Sequence, residues 1–206
     1  MESRQTMELI LASASARRAE ILRNAGLPFK VCPASADEAR LPNEPAEDYV
    51  LRVAVAKARI AAKKVAPAQD PAIIIAADTA VALGAHVFGK PASLESARSM
   101  LRTLSGQTHQ VLTGLCLLTT PEKREVSQVE ITKVTFAELS QPEIETYLAS
   151  GEPFDKAGAY GIQGIAGRYV TGIDGCYFNV MGLPLSRLWS ALRSLGWTGA
   201  DRSGAL

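Results

Sequence analysis

Cysteine and histidine are scarce in this chain. The three cysteines, Cys32, Cys116 and Cys176, are scattered, odd in number and never in a C-x-x-C pair. That excludes a disulfide framework and a zinc ribbon, and it fits a reducing compartment. The two histidines, His86 and His109, have no metal-ligand spacing and suggest no Ser-His-Asp order. No apolar run approaches the ~20 residues that span a bilayer, and the one near the start, 9–12, is too short for a signal-peptide core. Excess charge is missing as well: 22 Lys+Arg against 21 Asp+Glu leave +1. Nothing global therefore draws the chain to nucleic acid or to an anionic membrane, although local basic clusters can still serve a small anionic ligand. Neither G-x-x-x-x-G-K-[ST] nor a strand-bound G-x-G-x-x-G occurs, which disfavours P-loop and Rossmann nucleotide binding. The expectation is a soluble cytoplasmic protein with no nucleic-acid or membrane partner.

What remains is a globular composition, 47% hydrophobic and 21% charged over 206 residues, the size of one domain. The pattern predicts a short strand at 9–12, then Ser13-Ala14-Ser15 and a helix ending at Gly26. A second strand is expected at 29–32, then a loop rich in proline and acid through Asp37, Glu38, Pro42 and Pro45. A long helix at 46–65 carries Val50, Val53, Ile60 and Ala61 at helical spacing, with Pro67 beyond its end. The isoleucine-rich run 72–77 reads as a strand buried on both faces, interrupted by Asp78-Thr79 and continued at 80–83. A helix over 93–104, an antiparallel pair at 110–119 and 125–136, and a helix opened by the Ser140-x-x-Glu143 capping box follow. Seven of the sixteen glycines fall within 151–175, either as tight turns or where backbone must approach a ligand. A last strand is expected at 177–180, then a helix lined by Leu185, Leu188, Trp189, Leu192 and Leu195, with the chain frayed from Trp197 onward. This mixture points to an α/β or α+β fold with a mixed sheet.

Several positions invite chemistry, each beside a plainer reading. Ser13, Ser15, Arg17 and Arg18 follow a buried strand and open a helix, where unpaired N–H groups suit a phosphate. Two arginines oppose the helix dipole there, so either both face water or an anionic ligand reverses the sign of their contribution. Lys57 lies on the apolar stripe of its helix and must snorkel out or meet a negative partner. Asp78, closing the isoleucine run, is placed where α/β sheets put ligand groups; otherwise it caps a turn. Lys90 sits in a loop before a helix, and Asp37-Glu38 suit a hard cation or an ordinary solvated loop. Together these say a phosphorylated ligand with a divalent metal, and no particular reaction.

Four segments then carry a resemblance. They are Leu11-Ala12-Ser13-Ala14-Ser15-Ala16-Arg17-Arg18; Ala77-Asp78-Thr79 with Gly89-Lys90-Pro91; Ser105-Gly106-Gln107-Thr108-His109-Gln110-Val111; and Asp155-Lys156-Ala157-Gly158-Ala159-Tyr160-Gly161-Ile162-Gln163-Gly164. In this order the chain resembles the Maf family of nucleotide pyrophosphatases, historically called septum formation inhibitors. Ala14 and Ala16 stand where Gly or Pro are common in that family. The resemblance implies an elongated Maf/ITPase-like α/β domain over 1–206, with a central mixed sheet flanked by helices, two lobes, a deep cleft, and flexible tails at 1–7 and 198–206. It implies hydrolysis of a nucleoside triphosphate between the α- and β-phosphates, with Mg²⁺ or Mn²⁺ as cofactor. By that resemblance Asp78 is the proton acceptor, and Glu38 with Asp78 holds the metal. Ser13, Arg17, Arg18, Lys57, Lys90, Thr79 and Gln163 bind the nucleotide, with Arg17, Thr79 and Gln163 at positions associated with base choice.

The stretch 159–164 is similar to the branch acting on dTTP and UTP, and an amide such as Gln163 can both donate to and accept from a pyrimidine edge. The implied role is house-cleaning, extending to modified pyrimidine nucleotides. Two alternatives stand beside it: a 7-methyl-GTP pyrophosphatase, and a non-catalytic nucleotide-binding regulator of cell division. A homodimer is compatible with the resemblance but argued by no residue.

Overall fold

The fold was analysed in a computed structural model, which describes residues 7–66 and 70–199. Pro67, most of the expected N-terminal tail and residues 200–206 of the expected C-terminal one lie outside the described residues. Strand β1 (Glu8–Leu11) leads to α1 (Ala16–Asn24), β2 (Lys30–Val31) and the long α2 (Ala46–Val65). Strand β3 (Ala72–Leu83), β4 (His86–Phe88), α3 (Leu94–Leu104), β5 (Thr108–Thr120), β6 (Glu125–Phe136) and α4 (Gln141–Ala149) follow. The last described elements are β7 (Val170–Asp174), α5 (Tyr177–Met181) and α6 (Leu185–Ser194). The strands form one mixed sheet in the order β2-β1-β3-β5-β6-β7, with β4 also on β3. The β2-β1-β3 pairings are parallel and the rest antiparallel. No described helix is long and apolar enough to cross a membrane.

β3 is apolar on both faces because both are covered. Ile73, Ile75 and Ala77 pack with α1 and α6 through Ile21, Leu22, Leu188 and Leu192. Ile74 and Ala76 pack under Ala54, Ala58 and Ala61 of α2. Further along, Val81 enters a second core with Phe88, Leu101, Leu104, Val134, Phe136, Tyr147 and Tyr160, while Ala80 and Ala82 meet Val50. Asp78 and Thr79 are the only polar residues in this strand. Strand alternation turns them to opposite faces, each between two apolar cores.

Expectation and structure differ in four places. Asp78 does not end a strand: β3 runs on for five residues, held in register by β5 from Ala72↔Thr120 to Ala82↔Gln110. The expected strand at 177–180 is the short helix α5, because buried Asn179 turns its side-chain amide onto the Val111 carbonyl and the Thr132 hydroxyl. The glycine-rich stretch forms three 3-10 turns, Glu152–Asp155, Ala157–Ala159 and Ile165–Tyr169, in keeping with tight turns there, but it also contributes a strand that was not expected, β7. Trp197 is not frayed: it is 7% exposed and its indole N–H donates to the carbonyl of Met7, itself packed against the first core.

The histidine beside the second core has no charge partner among the described residues. His109 lies edge-on to Phe136, with Nε2 2.8 Å from the Tyr160 hydroxyl and Nδ1 unpaired. Burial pushes its pKa from 6.5 down to about 4, so the folded state favours neutral imidazole. Stability from this site is complete above pH 6.5 and is lost as pH falls toward 4, by on the order of 3 kcal/mol. In urea titrations across that window, His109→Gln is expected to lose less stability than the parent by about that amount. Parallel curves for the two proteins would assign the acid sensitivity elsewhere.

Candidate active site

The floor of the site is a break in the sheet. On the edge of β3 away from β5, β1 pairs with 72–75 and β4 with 81–83. Among the described residues, none pairs as a strand with 76–80 on that side. The chain leaving β1 gives one last hydrogen bond, from the Ala12 N–H to the Ile75 carbonyl at 2.8 Å, and then turns away. Such a crevice, just beyond the carboxyl end of a parallel strand, is where open α/β sheets take ligands. Asp78 and Thr79 sit in it.

Lys57 does not snorkel. Its side chain, 7% exposed as a residue, places Nζ 2.7 Å from Asp78 Oδ1 and 2.6 Å from Glu38 Oε1. The pKa of Asp78, also 7% exposed, is raised from its ordinary value because its burial outweighs the pull of Lys57 and Arg18. Burial pushes Glu38 up as well, but Lys57, Lys90 and Arg18 together bring it below its ordinary value.

Two devices set this geometry. α2 crosses the sheet directly over Gly114, the partner of Asp78 on β5. A Cβ on Gly114 would overlap the Val50 carbonyl and stand 2.7 Å from the Leu51 nitrogen. The missing side chain lets the helix lie close enough for Lys57, two turns on, to reach Asp78. The loop bearing Glu38 is held by buried Glu44, whose carboxylate accepts from Arg52 at 2.6 and 2.9 Å and from the Leu41 N–H at 3.0 Å. Arg52 drives Glu44 down to about 2, and the Tyr49 hydroxyl donates to the Glu38 carbonyl. Sequence reading missed Gly114 and Glu44. A glycine inside an apolar strand and an acid eight residues before an arginine were the available signals.

Arg18 is buried, and its fork is committed to the protein. Nε donates to the Gly182 carbonyl at 2.7 Å, Nη1 to Ser13 Oγ at 3.2 Å and Nη2 to Thr79 Oγ1 at 3.1 Å. Gly182 takes a φ of +107° as it caps α5, a conformation that glycine adopts freely. Ser15 is the N-cap of α1, and Ser13 Oγ accepts from its N–H. Arg17 points the other way, its Nη1 3.0 Å from Asp155 Oδ2, tying α1 to the first 3-10 turn. Lys90 is exposed in the loop after β4, close enough for its charge to act on Glu38.

Gln163 is exposed between two 3-10 turns, and no hydrogen bond among the described residues ties its side chain to the cluster. The structure thus gathers Ser13, Arg18, Lys57, Asp78, Thr79 and Glu38, within reach of the Lys90 charge; Arg17 and Gln163 stand apart from the hydrogen-bonded set.

The arrangement offers a carboxylate base, a buried ammonium and a fixed guanidinium around one opening, a set suited to a polyanion and an attacking water. Comparison with known proteins adds the following. The family model described as Maf-like protein matches residues 8–195. The chain is 48% identical over 190 residues to a dTTP/UTP pyrophosphatase of Koribacter versatilis, covering 92% of this chain and 95% of that one. It is 47% identical over 191 residues to a dTTP/UTP pyrophosphatase of Carboxydothermus hydrogenoformans, covering 93% and 100%. Among solved structures, the Staphylococcus aureus Ham1 protein superposes with a TM-score of 0.51 at 15% identity over 91% of this chain and 99% of that one, a likeness of fold.

Gly114→Ala sets its new methyl against backbone that cannot yield. It is expected to destabilise at the upper end of the ~1–3 kcal/mol typical of overpacking. Gly172→Ala, whose Cβ meets only Thr135 at 3.8 Å, is expected to be near neutral. Thermal unfolding of the pair checks this; an unaffected Gly114→Ala would mean that α2 does not depend on that contact.

Proposed function

This chain belongs to the Maf-like family, and from that premise we propose that it hydrolyses dTTP and UTP between the α- and β-phosphates. The products are the monophosphate and pyrophosphate, modified pyrimidine nucleotides are taken as well, and the role is house-cleaning in the cytoplasm. The observation that carries the reading is the buried Lys57 shared by Asp78 and Glu38 at the break in the sheet.

A nucleoside triphosphate brings about four negative charges, which must be shielded before water can approach phosphorus. Lys57 has a third N–H beyond the two given to carboxylates and can offer it to a phosphate oxygen. Lys90, exposed in its loop, meets the tail of the substrate, and Ser13, whose oxygen accepts from Arg18 and the Ser15 N–H, offers its hydroxyl proton to a phosphate oxygen. Asp78 is the base: burial has raised its proton affinity, and only one of its oxygens is bonded to Lys57. A water attacking the α-phosphorus passes its proton to Asp78 as the bond to the bridging oxygen breaks and pyrophosphate leaves. Arg18, fixed in place, lends its field to the charge developing on the leaving group. Gln163, on its exposed turn, reads the pyrimidine edge, with Arg17 and Thr79 contributing to base choice.

The residues present fit a divalent cation. Two carboxylates already converge on the Lys57 ammonium, each through one oxygen, which leaves the other oxygen of each for an ion. Among the described residues no cluster of three or more His, Cys, Asp or Glu exists. Asp78 and Glu38 would therefore hold the ion with water and phosphate oxygens completing its shell, the usual arrangement for Mg²⁺. When bound, such an ion neutralises phosphate charge and polarises the phosphorus–oxygen bonds.

The test is product identification with dTTP, UTP, CTP and 7-methyl-GTP in Mg²⁺ or Mn²⁺. Monophosphate with pyrophosphate is expected from dTTP and UTP; diphosphate with orthophosphate, or preference for the methylated purine, would overturn the reading. Asp78→Asn is expected to lower turnover by about 10²–10⁴-fold, the usual contribution of a general base, while nucleotide still binds. Undiminished hydrolysis would remove Asp78 from the mechanism.

A further inference from the structure

The face of β3 opposite Asp78 carries a chain of two hydroxyls whose ends are chemically fixed. Thr79 Oγ1 lies 3.1 Å from Arg18 Nη2, which can only donate. It lies 2.9 Å from the Oγ1 of Thr113, its partner across the β3–β5 ladder. Thr113 is fully buried, and its Oγ1 is 3.2 Å from the Asn179 carbonyl, which can only accept. That carbonyl is held because the Asn179 amide donates to Val111 and Thr132 and the residue is buried. Each hydroxyl has one proton. A single direction satisfies every contact: Arg18 to Thr79, Thr79 to Thr113, Thr113 to Asn179. The reverse order at the centre leaves two lone-pair oxygens facing each other at 3.2 Å.

We propose that Thr113 is a specificity-positioning residue: by taking the Thr79 proton it leaves Thr79, at the break in the sheet, with one free lone pair and no hydrogen for a ligand. This rests on the pyrimidine triphosphatase reading above. An acceptor-only hydroxyl repels an ionised phosphate oxygen and welcomes an N–H, so Thr79 faces the nucleoside. Uracil and thymine carry a proton on N3; cytosine presents a bare lone pair there. The chain from Arg18 to Asn179 thus favours the dione bases over cytosine, and the discrimination originates at a residue that does not itself touch the ligand.

Thr113→Val keeps shape, and the Asn179 carbonyl retains the Gly182 N–H at 2.9 Å, so the fold is expected to stand. The Thr79 proton then loses its acceptor and becomes available to cytosine N3. The UTP-over-CTP ratio in kcat/KM is expected to narrow about tenfold, in line with one hydrogen bond, through KM more than kcat. Thr113→Ser, which keeps the hydroxyl, is expected to retain the parental ratio. An unchanged ratio in Thr113→Val, equal loss for every nucleotide, or a parent that does not separate UTP from CTP would overturn the proposal. Should Thr113→Val not fold, Thr113→Ala removes the same hydroxyl and carries the same expectation. A parent inactive on both dTTP and UTP would instead overturn the functional reading on which this one rests.

Discussion

One ammonium held between two carboxylates organises this molecule. Lys57 comes from a helix above the sheet, Asp78 from the central strand and Glu38 from a proline-flanked loop, so three separate pieces of chain must arrive together. Taking such charges out of water costs several kcal/mol per ion, and their attraction does not reliably return it. The cluster is therefore better understood as a constraint the fold satisfies than as a source of stability. Around it stand the features that satisfy it: a glycine that lets the helix close on the strand, a buried glutamate clamped by Arg52, and a tyrosine hydroxyl on the loop. Removing any one loosens an approach path while leaving the three charges of the cluster itself in place.

The two carboxylates share a cation, yet their proton affinities diverge. Asp78 lies deeper, so desolvation dominates and its pKa rises; Glu38 lies nearer water, so the surrounding cations dominate and its pKa falls. Environments that push paired titratable groups apart sort them into roles. The deeper one is the better base and the shallower one the steadier anion. Depth is set by strand alternation and by the break in the sheet, not by the identity of either side chain.

How much of this was legible beforehand follows from the range of each interaction. Local signals held: the helix over 46–65 and the strand over 125–136 have the bounds their patterns imply, and the Ser140 capping box is formed. Lys57 was visible as a cation on an apolar stripe, since periodicity alone exposes that conflict. The helix at 177–181 was not legible, because Tyr-Phe-Asn-Val favours a strand and only the distant partners of Asn179 override it. Asp78 reads as a strand end in the sequence for the same reason: the ladder that carries β3 past it comes from β5, where its partner is the distant Gly114. Gly114 and Thr113 looked like ordinary strand residues, and their meaning exists only once α2 and α5 lie over the sheet.

The chemistry of Arg18 shows why residue type, and not charge alone, is fixed at such a place. Its guanidinium meets three acceptors at once, a carbonyl from the cap of α5, a serine from the end of β1 and a threonine from β3. A lysine ammonium is a point donor on a flexible stem and cannot span three such directions from a buried position. The planar fork therefore does two things. It joins the chain leaving β1 to the middle of β3, on the edge where no described strand pairs with 76–80. It also keeps a positive charge beside Asp78 that need not reorganise when a substrate arrives. A cation already engaged by the protein is a weak grip on a ligand but a steady source of field, and preorganised field of that kind is what lowers a charged transition state. In the proposed mechanism, ligand contact falls instead to Lys57 and Lys90. Among the basic groups that looked equivalent in the sequence, Arg18 is spent on building the opening and Arg17 on Asp155, and the proposed mechanism gives the approach of the substrate to Lys57 and Lys90.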